Sequence, residues 1–88
     1  MFLAKVVGKI VSTTKDEGLN GEKILVIAPI DMNGIVTGKE IVSIDSVGAG
    51  IGDQVLVTEG SVSMYAFGGD NIPIDSAIVA IIDTIEQN

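Results

Sequence analysis

The chain has 88 residues, of which 47% are hydrophobic but only 3% aromatic, and its formal net charge is −7. It contains no cysteine and no histidine, which excludes disulfides, thiolate and imidazole catalysis and the usual zinc ligands. The negative charge disfavours nucleic acid, because binding it depends on neutralising phosphates. A single domain of this size buries only about 60–65% of its unfolded surface, so the aliphatic surplus predicts contacts between subunits.

Targeting signals are not evident in the sequence. No apolar run approaches the roughly 18 residues that a membrane helix requires. Residues 1–5 lead directly into strand-like sequence, without the charged start and long apolar core of a signal peptide. We therefore expect a cytoplasmic protein that does not bind membranes.

The first predicted element is a strand over residues 2–13, where side chains of two kinds alternate. The even-numbered positions are apolar or glycine, and the odd-numbered positions carry Lys5 and Lys9 among aliphatic residues. Such a long strand is expected to bend, and Gly8 is the candidate for a bulge or a barrel corner.

A polar loop over residues 14–21 separates this strand from a second one, predicted over residues 22–30. The second strand is apolar on both faces, which is unusual for an antiparallel strand with one side in water. Pro29 lies late in the run and cannot donate to a sheet ladder, so it indicates an edge or a strand end.

The strongest turn signal is the dipeptide at residues 33–34, Asn-Gly, which is typical of tight hairpins. A third strand is predicted over residues 35–44, with a break near Gly38. The glycine-rich stretch of residues 44–53 follows, and then a fourth strand over residues 54–58.

The remaining sequence predicts one short helix and a last strand. Ser61 can cap a helix over residues 62–67, and the Gly-Gly pair at 68–69 would end it. Residues 74–85 are rich in β-branched side chains and favour a strand that is apolar on both faces. These elements predict a mainly all-β fold, a small closed or nearly closed antiparallel barrel of five to six strands with one short helix. Part of its outside would be covered by other copies of the chain.

The glycine-rich stretch allows several interpretations. A phosphate-binding loop would precede a helix and carry a lysine, whereas a strand follows here and no lysine lies beyond Lys39. Asp45 and Asp53 could form a catalytic carboxylate pair, but aspartates beside a glycine turn more often bond their own backbone. A loop packed against another subunit is the remaining alternative to a simple shaped turn.

A calcium site is a further alternative, because Asp70, Asn71 and Asp75 would supply oxygen ligands. Their spacing matches no EF-hand loop, and a solvated loop is the simpler interpretation. We predict no catalytic residues, no metal and no cofactor.

Five segments, taken together and in this order, resemble the CcmL/EutN family of microcompartment shell vertex proteins. They are residues 4–13, 45–50, 52–57, 60–61 and 73–83. The resemblance covers essentially the whole chain, as one domain over residues 1–88. It implies an OB-like β-barrel and a homopentamer that caps the corners of a bacterial microcompartment shell among hexameric shell proteins. Carboxysomes and catabolic compartments both use such proteins.

The sequence departs from the family pattern at Met64, where many relatives have arginine, so no charge of that arginine is carried over. Candidate residues for the subunit interface or axial pore are Asp45, Ser46, Val47, Gly48, Ala49 and Gly50. We expect valine at Gly48 or Gly50 to block assembly before folding. The alternative function is a small OB-like binding module for nucleic acid or another ligand, for which the chain has few cations and aromatics.

Overall fold

The computed structural model describes residues 1–13, 17–19, 21–60 and 75–87. Five strands form a closed barrel, and they are β1 (Phe2–Ile10), β2 (Lys23–Pro29), β3 (Ile41–Asp45), β4 (Gln54–Glu59) and β5 (Ser76–Ile81). Around the barrel the strand order is β1-β2-β3-β5-β4. A short 3-10 turn, Glu17–Leu19, lies between β1 and β2. The predicted helix and Met64 fall outside the described residues.

Four of the neighbouring strand pairs are antiparallel, but β3 and β5 run parallel. In this pair Ile44 lies opposite Ala77, and Asp45 lies opposite Ile78. The prediction of a wholly antiparallel barrel is therefore wrong at one seam. The reason is topological, because strand direction cannot alternate all the way around a closed ring with an odd number of strands.

The bulge predicted in β1 is confirmed by a shift of register between Val6 and Gly8. Before the shift Val6 lies opposite the buried Ile27, and beyond it Lys9 lies opposite the buried Leu25. A bulge inserts an extra residue and thereby changes which side chains share a face. The predicted even–odd alternation is nevertheless kept past the bulge, because Lys9 is exposed while Gly8 and Ile10 are half-buried, and β1 ends at Ile10.

β2 ends at Pro29, as predicted for a residue that cannot donate to the ladder. The chain then turns at residues 31–35, and a single bridge joins Ile30 to Val36. The third strand is shorter than the predicted range of 35–44, since it begins only at Ile41. The predicted break lies where Gly38 passes over Pro29, whose side chain is 3.4 Å from the position of an added Cβ.

The interior of the barrel is filled by aliphatic side chains from four strands and one loop. Its fully buried members are Ala4, Val6, Leu25, Ile27, Ala49, Val55, Val57 and Ile78. Burying each of the larger ones contributes about 1.5–3 kcal/mol. Large aliphatic residues are also exposed on the outside, among them Val7, Val42 and Ile81 on the strands. No helix in the described part of the chain is long and apolar enough to cross a bilayer.

Candidate functional site

The glycine loop, defined here as residues 46–53, leaves the end of β3 and is organised by Asp45. This residue is the last of β3, and its carboxylate accepts hydrogen bonds from the backbone N–H groups of Val47 (3.1 Å) and Ala49 (2.8 Å). Between them Gly48 has φ +83°, a conformation that glycine adopts without strain. One buried carboxylate thus sets the path of the first half of the loop.

Lys23 connects this half of the loop to β2. It lies directly opposite Asp45 in the β2–β3 ladder, and its Nζ is 3.7 Å from the carboxylate Oδ2. The same Nζ donates a hydrogen bond to the carbonyl oxygen of Ala49. The Asp45 side chain is 2% exposed and that of Lys23 37%, so the pair joins a buried anion to a half-buried cation.

Ala49 closes the loop onto the barrel, because its methyl group is fully buried in the same cluster as Val6 and Val57. Ser46 adds a second attachment, since its hydroxyl donates to the carbonyl oxygen of Ile78 on β5 at 2.7 Å. The first half of the loop is therefore held by β2, β5 and the core together.

The second half of the loop is a tight turn that lies against β1. Asp53 accepts a hydrogen bond from Gly50 N–H through its Oδ2 (2.9 Å), and Asp53 N–H donates to the Gly50 carbonyl (3.0 Å). Gly52 has φ +97°, as a type II turn requires at its third position. Val6 exchanges backbone hydrogen bonds of 2.9 Å with Gly52 and Asp53.

The six predicted site residues are contiguous, but the structure divides them into two groups. Asp45 and Ala49 are buried and hold the loop, and Gly50 is half-buried. Ser46, Val47 and Gly48 are exposed, and Val47 presents an apolar side chain that is 39% exposed. Ile51, which sequence reasoning did not select, is 69% exposed on the same loop.

Gly48 and Gly50 differ in what they do within the chain itself. Among the described residues, and apart from its two chain neighbours, an added Cβ at Gly48 would meet no atom within 4 Å. Gly48 is required by its φ angle. Gly50 does not have a left-handed φ, and its added Cβ would lie 4.0 Å from Asp53 Oδ2. The strain argument therefore applies to Gly48 and not to Gly50.

The hydrogen bonds of the loop argue against a phosphate site. The N–H groups of Val47 and Ala49, which could cradle an anion, are already bound by the carboxylate of Asp45. The loop leads into β4, whereas phosphate loops lead into a helix N-terminus. Asp53 is likewise bonded to its own turn, as expected for an aspartate beside a glycine turn.

The calcium alternative remains untested, because Asp70 and Asn71 lie outside the described residues. Within the described ranges, no three acidic, histidine or cysteine side chains are placed to hold a metal ion.

A sequence signal for this loop was present but not used, namely the pattern Asp-x-x-Gly. It occurs at residues 45–48 and at residues 31–34. In the second case Asp31 Oδ1 accepts hydrogen bonds from Asn33 N–H (2.8 Å) and Ile35 N–H (3.1 Å), and Gly34 has φ +82°. The pattern therefore marks both aspartate-capped turns.

The fold places the chain in the class of small, closed, five-stranded β-barrels, with one loop hydrogen-bonded to the barrel strands. Comparison with known proteins identifies the family. Residues 1–83 match the family model described as ethanolamine utilisation protein EutN/carboxysome. The chain belongs to this EutN/CcmL family.

Several relatives cover nearly the whole chain. The bacterial microcompartment shell vertex protein GrpN of Rhodospirillum rubrum is 45% identical over 86 residues, which are 98% of this chain and 97% of GrpN. The carboxysome shell vertex protein CcmL of Nostoc sp. is 44% identical over 86 residues, covering 97% and 85% of the two chains. The solved structure of GrpN, a pentameric microcompartment shell protein, superposes with a TM-score of 0.88 at 42% identity and complete coverage of both chains.

Proposed function

We propose that this protein is a structural shell protein that forms a homopentamer at the vertices of a bacterial microcompartment. The observation that carries the proposal is the full-length match, in sequence and fold, to a pentameric microcompartment shell protein. The exposed aliphatic side chains on the outside of the barrel support it, because a monomer of this size gains by covering them. The whole chain would act as one vertex-protein domain.

The proposed role is to close the shell, with no catalysis and no cofactor. Hexagonal tiles alone form flat sheets or tubes, and a five-fold ring supplies the missing curvature at each corner. A closed ring also repeats the same edge five times, which is the edge that hexameric shell proteins would contact. Candidate polar contacts on this edge are Glu22, Asp31 and Glu59.

We further propose that the exposed part of the glycine loop lies at the subunit boundary near the ring axis. Val47 and Ile51 are large aliphatic residues that remain exposed although their loop is hydrogen-bonded to β1 and β5. A neighbouring subunit would remove this apolar surface from water, at about 25 cal/mol per Å².

Native mass spectrometry of the purified protein tests the proposed assembly. We expect a five-subunit species at micromolar concentration, without a stable folded monomer, because obligate interfaces bury well over about 800 Å² per partner. A folded monomer or dimer would contradict the proposal and favour the alternative of a small binding module. Titration with single-stranded oligonucleotide, followed by fluorescence anisotropy, would then test that alternative directly.

The shell role is tested separately by expressing hexameric shell proteins with and without this chain and imaging the products. We expect closed polyhedral shells only when the chain is present, and elongated or open shells without it. Closed shells of equal permeability in its absence, with none carrying the protein at its corners, would contradict the vertex role.

A further inference from the structure

We infer that Lys23 is a positioning residue for ring assembly, which acts by holding the glycine loop in the shape that a neighbouring subunit recognises. The inference rests on the proposed pentamer and on the loop being part of its interface. It concerns a residue outside the six that the sequence singled out, on a different strand of the barrel.

The contacts of Lys23 converge on the loop. Its Nζ lies 3.7 Å from Asp45 Oδ2 and also donates to the carbonyl of Ala49, so it bridges both ends of the segment that carries Val47. The Asp45 carboxylate in turn accepts from the N–H groups of Val47 and Ala49. Lys23 therefore affects the exposed residues of the loop indirectly, through its contacts with the buried Asp45 and Ala49.

Because of its position, Lys23 can affect the shape of the glycine loop without affecting the folding of the barrel. It is the first residue of β2, its side chain is 37% exposed, and it contributes nothing to the aliphatic core. When it is removed, Asp45 still holds its two N–H groups, and the register of β2 with β3 depends on backbone bonds. What is lost is the side-chain hydrogen bond to the Ala49 carbonyl and the cation beside Asp45.

Loop order matters for association, because ordering a mobile segment at an interface subtracts from the binding free energy. A loop that is already fixed in the free subunit avoids this cost. In a ring every subunit contributes the same loop, so a loss at one position recurs at each interface. A modest loosening of the loop is therefore expected to act strongly on assembly and weakly on the fold.

The test compares Lys23→Met with Lys39→Met, an exposed lysine outside the glycine loop whose loss changes the net charge equally. Ring dissociation on dilution is followed by native mass spectrometry, and amide hydrogen exchange is measured in the assembled ring. We expect Lys23→Met to dissociate at a protein concentration higher by about tenfold, the equivalent of one charge-assisted hydrogen bond. Amides of Val47, Ala49 and Gly50 should exchange faster, while those of β1 keep their protection.

Lys39→Met should behave as the unmodified protein in both measurements, and Lys23→Arg, which keeps a cation and donors, should restore part of the assembly. Equal dissociation of Lys23→Met and Lys39→Met would overturn the inference, and so would faster loop exchange without weaker assembly. These outcomes are distinct from failure of the proposed function, which would show as an unmodified protein that forms no five-subunit ring.

Discussion

Two turns of this molecule are built from the same local parts and differ in what surrounds them. In the Asp31 turn, defined as residues 31–35, and in the glycine loop, an aspartate accepts hydrogen bonds from the second and fourth residues after it. The third residue after it is a glycine with φ +82° in one and +83° in the other. The two turns therefore share the aspartate that caps them and the left-handed glycine, although Asp31 accepts through one oxygen and Asp45 through both.

Their surroundings differ most at the first and last positions. Asp31 is half-buried and Asp45 is buried, and the fourth residue after each is Ile35, 62% exposed, and Ala49, fully buried. Within the part of the chain that the structure describes, a lysine from another strand contacts the glycine loop and none contacts the Asp31 turn. The comparison shows that Asp-x-x-Gly specifies a turn, whereas the core and Lys23 decide whether the turn becomes a fixed part of the barrel.

Replacing the two aspartates is expected to give the largest difference between the turns in the free energy of unfolding. Asp45→Ala removes the acceptor of the Val47 and Ala49 N–H groups, of which that of Ala49 is buried, and should lower the free energy of unfolding by roughly 1.5–3 kcal/mol. Asp31→Ala should lower it by about 1 kcal/mol, because the freed N–H groups reach water. Urea denaturation at one fixed protein concentration measures both, since the stability of a ring depends on concentration. Equal losses would show that the surroundings of the turns do not matter.

Substituting the residue four positions after each aspartate is expected to give the second-largest difference between the turns. Ala49→Leu adds volume inside the closed core, and overpacking there should cost about 1–3 kcal/mol of unfolding free energy. Ile35→Ala changes an exposed side chain and should stay within about 0.5 kcal/mol of the unmodified protein. Thermal unfolding followed by circular dichroism compares them. A stable Ala49→Leu protein would mean that the loop is free to move away from the core.

Gly34 and Gly48, the glycines three residues after the two aspartates, separate folding from assembly. Gly48→Ala and Gly34→Ala should each cost about 1–2 kcal/mol of unfolding free energy through backbone strain. Gly34→Ala also brings its Cβ to 3.0 Å from Gln54 Nε2 and should be the less stable variant. We expect only Gly48→Ala to raise the concentration at which the ring dissociates.

Gly50→Ala is the control for this pair, because Gly50 lacks a left-handed φ and has room for a Cβ. It should fold as the unmodified protein does. If Gly34→Ala weakened the ring as much as Gly48→Ala, measured by dilution in native mass spectrometry, the glycine loop would have no special place in the interface.

The smallest effect on folding is expected at Val47. Val47→Asn copies the residue that occupies the same position of the Asp31 turn, Asn33, and removes an exposed apolar side chain. The unfolding free energy of the fold should change by less than about 0.5 kcal/mol. The ring should nevertheless dissociate at higher protein concentration in analytical ultracentrifugation. An unchanged ring would place Val47 outside the subunit contact.

Much of this architecture followed from the sequence. Alternating and β-branched runs predicted all five strands, Gly8 predicted the bulge and Pro29 predicted a strand end. The parallel seam between β3 and β5 could also have been deduced, because an odd number of strands in a closed ring forces one parallel pair. The strands, the bulge and the strand end depend on local chemistry, and the parallel pair follows from the number of strands. All of them can therefore be worked out from the sequence.

The role of each residue in the glycine loop depended on the tertiary structure. The sequence determined that a glycine turn follows Asp45, since the chemistry of that turn is local. It did not determine that Ala49 enters the core or that Lys23, 26 positions away from it, donates to its carbonyl. Those contacts form only when the β2–β3 ladder places Lys23 opposite Asp45, because side chains far apart in sequence meet through strand register.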